Sequence, residues 1–355
     1  MIIPPEINMS KSLHPEDLSI LDKYESSEKT LFQVDSEFNS ISVVENTLGR
    51  FLKFDDSYQS GILNYNSCPN NLPYINYFLI SCLLNPDIES ILVLGMGSGH
   101  FISSFTKLLP CLKKIDIVEI DPHVTEIAQE YFDFKHNDRV NVNIQDARVF
   151  VRNSKNKYDL IVMDLASHEG LFYRFMTEEF LREIQANLNS GGMLASNLFG
   201  SPDFRQDNNL IFNSILKTYR AVFNDILIFP TIYGNYEFYK QSLGLKHELP
   251  DLTNMILFAT DSGFNITKDE LVLRALNLKE TCNLTEIKQI DKYIEDMYEF
   301  DINLDNFSVM KDEWESDPQF NLDNLKKYLY IDHMVNNQSG KINPVDDERK
   351  SVKSG

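Results

Sequence analysis

The stretch Ile91-Leu92-Val93-Leu94-Gly95-Met96-Gly97-Ser98-Gly99-His100 constrains this chain more than any other. Four apolar residues without alternation are what a parallel strand buried on both faces requires. A glycine-rich turn follows at once, and then an amphipathic run from Phe101 to Leu109. Strand, glycine turn and helix in that order make a nucleotide-binding βα unit. Gly95, Gly97 and Gly99 let the backbone turn sharply and approach a ligand with no Cβ in the way. A dinucleotide fingerprint has its third glycine three places after the second, and that place is His100 here. The pattern G-x-G-x-G suits an S-adenosylmethionine-type site better than NAD, and an NAD oxidoreductase is disfavoured.

Before this unit the chain is β-prone. Thr30–Val34, Ser40–Glu45 and Arg50–Phe54 are short runs separated by Asn, Ser and Gly turns, and predict a small antiparallel sheet. Asp55–Ser60 reads as the turn after its third strand, and residues 73–84, with Tyr74, Tyr77 and Phe78, as a helix packed beside the sheet to come. From Ile91 onward strands alternate with helices. The strands are Ile115–Glu119, Val140–Ile144, Asp159–Asp164 and Met193–Leu198. The helices are Val124–Phe132, Thr177–Leu188 and Asn208–Phe223, with Asn189–Gly192 as a turn. Repeated βα units imply a parallel sheet covered on both faces. Asp225–Phe229 and Asn254–Thr260 close it without an obvious crossover helix, as an antiparallel edge. After residue 265 the alternation ends in helical runs, Lys268–Leu278, Leu284–Phe300 and Leu322–Met334. The expected organisation is an N-terminal arm (1–28, with one helical turn near Pro15–Leu21), a small β-sheet (29–72), a Rossmann-like domain (73–264), an acidic helical extension (265–335) and a disordered tail (336–355).

Composition narrows the function. Among 355 residues the formal net charge is −20, which argues against a nucleic-acid backbone as partner. Residues 280–335 hold 14 Asp and Glu against 5 Lys and Arg, so nearly half of that charge sits in the extension, either as a solvated face or as a docking or steering surface. No apolar run reaches the roughly 18 residues of a membrane span. Met1–Pro15 lacks the features of a secretory signal. Cys68, Cys82, Cys111 and Cys282 show no CxxC spacing. Reduced thiols in a cytoplasmic protein without a structural metal are expected, with no membrane partner.

Three acids stand at strand ends. Glu119, 20 residues past Gly99, can accept both hydrogen bonds of a ribose diol, or cap the next helix. Asp146 can accept the exocyclic amine of adenine, with Ala147 leaving room for the ring, or serve as an N-cap. Asp164 closes the strand beside Ile91–Leu94, at the carboxyl edge where such sheets bind ligands. It can hold and deprotonate an amine, balance a sulfonium charge, or cap a loop. His168 and Glu169 line the same mouth or a solvated loop. Tyr233, Tyr236, Phe238 and Tyr239 form an aromatic run whose faces can hold a cationic amine, or pack ordinarily.

Together, Gly95-Met96-Gly97-Ser98-Gly99-His100, Val118-Glu119-Ile120-Asp121-Pro122, Asp146-Ala147 and Tyr158–Asp164 resemble the spermidine synthase (polyamine aminopropyltransferase) family. Phe32-Gln33 is similar to that family's Tyr-Gln strand, and Phe54–Gln59 to its Leu-Asp-Gly-x-x-Gln turn. The resemblance covers about residues 28–262 and implies a class I methyltransferase fold, a seven-stranded Rossmann-like sheet with a small N-terminal antiparallel sheet, here with a C-terminal helical extension. It implies that Gln33 and Gln59 contact the cofactor with Gly95, Gly97, Ser98 and Gly99. It further implies Glu119 at the ribose, Asp146 and Ala147 at the adenine, Asp164 as catalytic acid–base assisted by Tyr74, no metal, and a homodimer through the small sheet.

The chain departs from that family at three carboxylates. The family's loop acid, which meets the donor's aminopropyl amine, is replaced by Ser98. The acceptor stretch reads Tyr74-Ile75-Asn76 without its Glu, and Asp164-Leu165-Ala166-Ser167 lacks the second Asp. Each lost charge-assisted contact would cost on the order of 1.5–3 kcal/mol. Ser98 would tolerate a donor carboxylate, which N–H groups at the helix start can bind. The expectation is a divergent transferase taking S-adenosylmethionine, with methyl transfer to a small-molecule or peptide amine. The alternatives are aminopropyl or 3-amino-3-carboxypropyl transfer, for which decarboxylated S-adenosylmethionine is the aminopropyl donor, and a non-catalytic nucleoside- or partner-binding member.

Overall fold

The computed structural model describes residues 23, 27–55, 57–65, 68–70, 72–165, 171–202, 204, 209–235 and 253–313. Expectations for most of the N-terminal arm, for Asp56, His168, Glu169, Tyr236, Phe238 and Tyr239, for helix Leu322–Met334 and for the tail lie outside the described residues.

Five antiparallel strands, β1 (Lys29–Asp35), β2 (Ser40–Asn46), β3 (Gly49–Phe54), β4 (Ser57–Tyr65) and β5 (Cys68–Asn70), form the small sheet in chain order. It has two strands more than the sequence suggested. The turn read at Asp55–Ser60 is tighter than expected. Asp55 takes it at φ 50, a left-handed conformation that Asp tolerates, and Ser57–Ser60 already pair with β3.

The central sheet contains β6 (Ser90–Leu94), β7 (Lys114–Glu119), β8 (Val140–Ile144), β9 (Tyr158–Met163), β10 (Leu188–Gly200), β11 (Asp225–Pro230) and β12 (Thr253–Thr260), in the order β11-β12-β10-β9-β6-β7-β8. This is the expected Rossmann-like sheet, with the last two strands as its antiparallel edge, β12 lying between β10 and β11. All eight of its residues are buried, whereas β11 begins half-buried, so β12 takes the central place and β11 the edge. Ile91 and Val93 enter the apolar cluster on one face, and Leu92 and Leu94 the cluster on the other. That is why the run shows no alternation. Asn189–Gly192, read as a turn, forms an irregular stretch inside β10, where the register against β9 shifts and Gly191 sits at φ 81.

Helices cover both faces. The run 73–84 is not one helix but Pro73–Tyr77, a 3-10 turn Phe78–Ile80, and Ser81–Leu84. The Asp121, Asp146 and Thr177 side chains cap the helices that follow them. The extension is helical at Lys268–Thr281, closed by a Thr267/Glu270 capping box, and at Ile290–Glu295, with only a 3-10 turn at Thr285–Ile287. Leu271, Ile290 and Ile294 pack into the first apolar cluster, and Ile302, Leu304 and Met310 into the second, so the extension runs from one face of the sheet to the other.

Part of the acidity of the extension is internal. Asp291 pairs with Lys279 at 2.6 Å, Glu286 accepts from Ser104 at 3.0 Å, and Asp312 accepts both terminal nitrogens of Arg148, at 2.8 and 2.7 Å. Among the described residues no helix is long and apolar enough to cross a membrane.

Candidate active site

The glycine loop sits at the carboxyl end of β6, where the chain order of the sheet reverses. Gly95, Gly97 and Gly99 take φ of 87, 51 and 67, a region that side chains disfavour. Gly95 also has a packing reason, because a Cβ there would stand 2.2 Å from the Asp164 carbonyl oxygen. The loop is tied to both neighbouring strands, with Gly95 N–H donating to Val118 and Asp164 N–H to Leu94, each at 3.0 Å. The Ser98 N–H donates to the Ser60 hydroxyl at 2.6 Å. Ser60 and Ser98 are buried, at 4% and 2% exposure.

Glu119 ends β7 beside the loop. One carboxylate oxygen accepts Met96 N–H at 3.1 Å, and the other accepts Asp121 N–H at 3.0 Å. Burial raises its pKa above the ordinary carboxylate value, against the pull of those N–H groups. Asp146 is the N-cap that sequence held open as its second reading, accepting Val149 N–H at 2.9 Å, and it pairs with Arg174 at 2.9 Å. Ala147, buried, begins that helix. Ile120 and Ile144, next in chain to Glu119 and at the end of β8, are exposed at 40% and 48%. Acids beside uncovered apolar side chains can grip a nucleoside by its hydroxyls and by the faces of its base.

Asp164 lies between two donors. Asn197 on β10 donates to Oδ1 at 2.9 Å, and Tyr74 approaches Oδ2 at 3.4 Å while also reaching the Gln59 carbonyl at 3.2 Å. Asn254 on β12 donates in turn to Asn197 at 2.9 Å. Burial pushes the Asp164 carboxyl up, and hydrogen bonds from Asn197 and Tyr74 oppose this. Tyr74 is raised well above its usual value by burial, then by the charge of Asp164 and its hydrogen bond to it, so it remains a protonated donor. The group can hold an ammonium and take one proton from it.

The expected residues do not all converge. Gly95, Gly97, Ser98, Gly99, Glu119, Asp164 and Tyr74 form one linked group. Gln59 joins it through its backbone, while its side chain turns to the Ser57 carbonyl at 3.4 Å. Gln33 is exposed on β1, across from Ser42. Sequence reading missed Ser60, Asn197, Asn254 and Arg174. The signal for Asn197 was a polar pair, Ser196-Asn197, at the end of an apolar strand. Among the described residues no cluster of three or more His, Cys, Asp or Glu is placed to hold a metal.

Sheet order and loop define a Rossmann-like domain of the class I methyltransferase fold. Spermidine synthase from Thermotoga maritima superposes with a TM-score of 0.51 over 66% of this chain and 73% of that one, at 19% identity. Residues 80–239 match the spermine/spermidine synthase domain. The polyamine aminopropyltransferase of Vibrio vulnificus is 36% identical over 168 residues, 46% of this chain and 54% of that protein. That of Clostridium beijerinckii is 32% identical over 185 residues, 51% of this chain and 63% of that protein. The chain thus spans less than two thirds of the length of these curated relatives. Residues 80–239 are thus similar to the spermine/spermidine synthase domain, and the chain to these polyamine aminopropyltransferases.

Proposed function

We propose that this protein transfers the aminopropyl group of decarboxylated S-adenosylmethionine to an amine of the polyamine class. The relatives' names favour this over the methyl transfer that the sequence suggested. The observation that carries it is the Ser98 amide. A buried N–H whose acceptor is a serine of the protein is not open to a donor carboxylate, so a donor lacking one is the better fit.

In this reading Glu119 and Asp146 hold the adenosyl part. Asp164 takes a proton from the acceptor ammonium. The neutral nitrogen then forms a C–N bond as the C–S bond breaks, and methylthioadenosine leaves. Such a displacement needs mainly position, with the reacting atoms about 3 Å apart and water kept out. Tyr74 and Asn197 orient the base.

One observation favours the methyl reading, namely that uncharged Ser98 offers no acid to the donor's aminopropyl amine. Calorimetry with S-adenosylmethionine, its decarboxylated form and methylthioadenosine separates the two. Product masses from a panel of di- and triamines name the group moved. Tighter binding of the intact donor would overturn the proposal, and binding of none would overturn the enzyme reading.

A further inference from the structure

One half-buried carboxylate has no part in the chemistry above. Asp296 follows helix Ile290–Glu295 of the extension. Its Oδ2 accepts the Tyr77 hydroxyl and, at 2.8 Å, the N–H of Tyr233. The Tyr77 oxygen accepts Gly234 N–H at 3.0 Å, and its ring stacks on Tyr293 with centroids 4.5 Å apart. A Cβ on Gly234 would lie 3.0 Å from the Tyr77 ring and 3.1 Å from the Cβ of Pro73. Helix Pro73–Tyr77, the segment after β11 and the extension therefore meet at one point.

We infer that Asp296 is a positioning residue: by fixing Tyr77 it sets Tyr74, one turn earlier on the same helix, against Asp164. The inference rests on the proposed function only for the role of Asp164 as base. The helix has five residues, and no side chain caps its start at Leu72. It runs on without a break into Phe78–Ile80 and Ser81–Leu84, so its far end is held by the core, and the contacts of Tyr77 set the uncapped first turn that carries Tyr74. The Tyr74–Asp164 contact of 3.4 Å is long, as catalytic contacts often are before substrate binds, and small rotations of the helix decide whether it closes.

Burial raises the pKa of Asp296 to about 7, against the Tyr77 hydroxyl and Tyr233 N–H, with Lys268 lowering it and Glu295 raising it. Both close donors reach the same oxygen, so Asn in the same rotamer keeps both contacts and Ala removes them.

The test compares Asp296→Ala, Asp296→Asn and Tyr77→Phe in the full chain. Turnover against pH and carboxyl-carbon NMR titration of Asp164 in the free protein are the readouts. Losing the Tyr74 donor should raise the Asp164 titration by about half a unit or more in Asp296→Ala and Tyr77→Phe, with kcat down roughly tenfold and donor affinity within about twofold. Asp296→Asn should restore both values. An Asp164 titration that stays put in the folded variants, or no rescue by Asn, overturns the inference. If wild type turns over no amine, the proposed function fails, while the titration still decides the role of Asp296. Should Asp296→Ala not fold, Tyr77→Phe, which keeps the ring stack, decides alone.

Discussion

The Ser98 amide and the Ser60 hydroxyl, 2.6 Å apart, join the glycine loop to the small sheet through two buried serines. Ser60→Ala leaves that N–H without its acceptor. The expected cost is about 1–3 kcal/mol of stability, read from urea unfolding. The freed amide should also become available to a carboxylate. The preference for decarboxylated over intact donor should narrow, by roughly tenfold if one charge-assisted contact of about 1.4 kcal/mol forms. An unchanged ratio in calorimetry would remove Ser60 from donor selection.

Gly95 carries two constraints at once, a φ of 87 and a carbonyl oxygen of Asp164 2.2 Å from where a Cβ would stand. Strain alone costs on the order of 1–3 kcal/mol, and the clash adds to it. Gly95→Ala should therefore lower the melting temperature and also move Asp164. Gly191 lies at a similar φ of 81 with only the Ser262 hydroxyl near, at 3.9 Å. Gly191→Ala is the control, and should lose stability with little loss of turnover. Equal turnover losses would mean that the effect of Gly95 is not local to the site.

Local pattern and long-range contact contribute differently here. Ile91–Leu94 announces a strand buried on both faces because its own residues contact both apolar clusters. Glu119, Asp146 and Asp164 are legible because a strand end fixes where each stands. The small sheet was partly legible, but Ser57–Ser60 looked like a turn, since Asp and Ser favour turns and the pairing that overrides them comes from β3. Asp296 was not legible. It lies 219 residues from Tyr77, and nothing in the acidic run around it marks one acid as the partner of a distant tyrosine. The place of β12 between β10 and β11 was hidden likewise, because strand order is a property of pairing and not of periodicity.

Glu119 holds the loop and, in the proposed function, also the donor's ribose, two roles that one substitution would confuse. Its oxygens accept Met96 and Asp121 N–H groups, which hold the glycine loop against β7. Glu119→Ala orphans both, for a loss of about 2 kcal/mol or more, and should weaken donor binding as well. Glu119→Gln keeps only one acceptor oxygen. Its stability should fall between wild type and Ala, with the donor still weakened because a ribose diol needs both acceptors. If Gln binds donor as wild type does, Glu119 serves the loop alone.

Asp164→Asn should keep the donor site and cut turnover by on the order of 10²-fold or more, since an amide cannot take the proton. A base must be ionised, so wild-type turnover should fall as pH drops through the Asp164 titration. That fall should come at higher pH than for an ordinary carboxylate, because burial raises this group. Unchanged turnover in the variant would leave Asp164 a structural partner of Asn197.

Asp296 makes stability depend on pH. Its carboxyl moves from an ordinary 3.8 to about 7 in the folded chain. Between those values the folded state holds a proton that the unfolded state has lost. The stability this contributes is fully present below about pH 4 and is lost as pH rises through about 7. A shift of about three units bounds the effect at roughly 4 kcal/mol. Asp296→Asn cannot titrate and keeps the two donors, so the difference in unfolding free energy, wild type minus variant, should fall steadily from about pH 4 to 8 and then level off. Urea unfolding of both proteins across that range measures it. A difference that stays flat would mean that Asp296 keeps an ordinary carboxylate pKa and is solvated in the folded protein, and its link to Tyr77 would then be too weak to orient the helix that carries Tyr74.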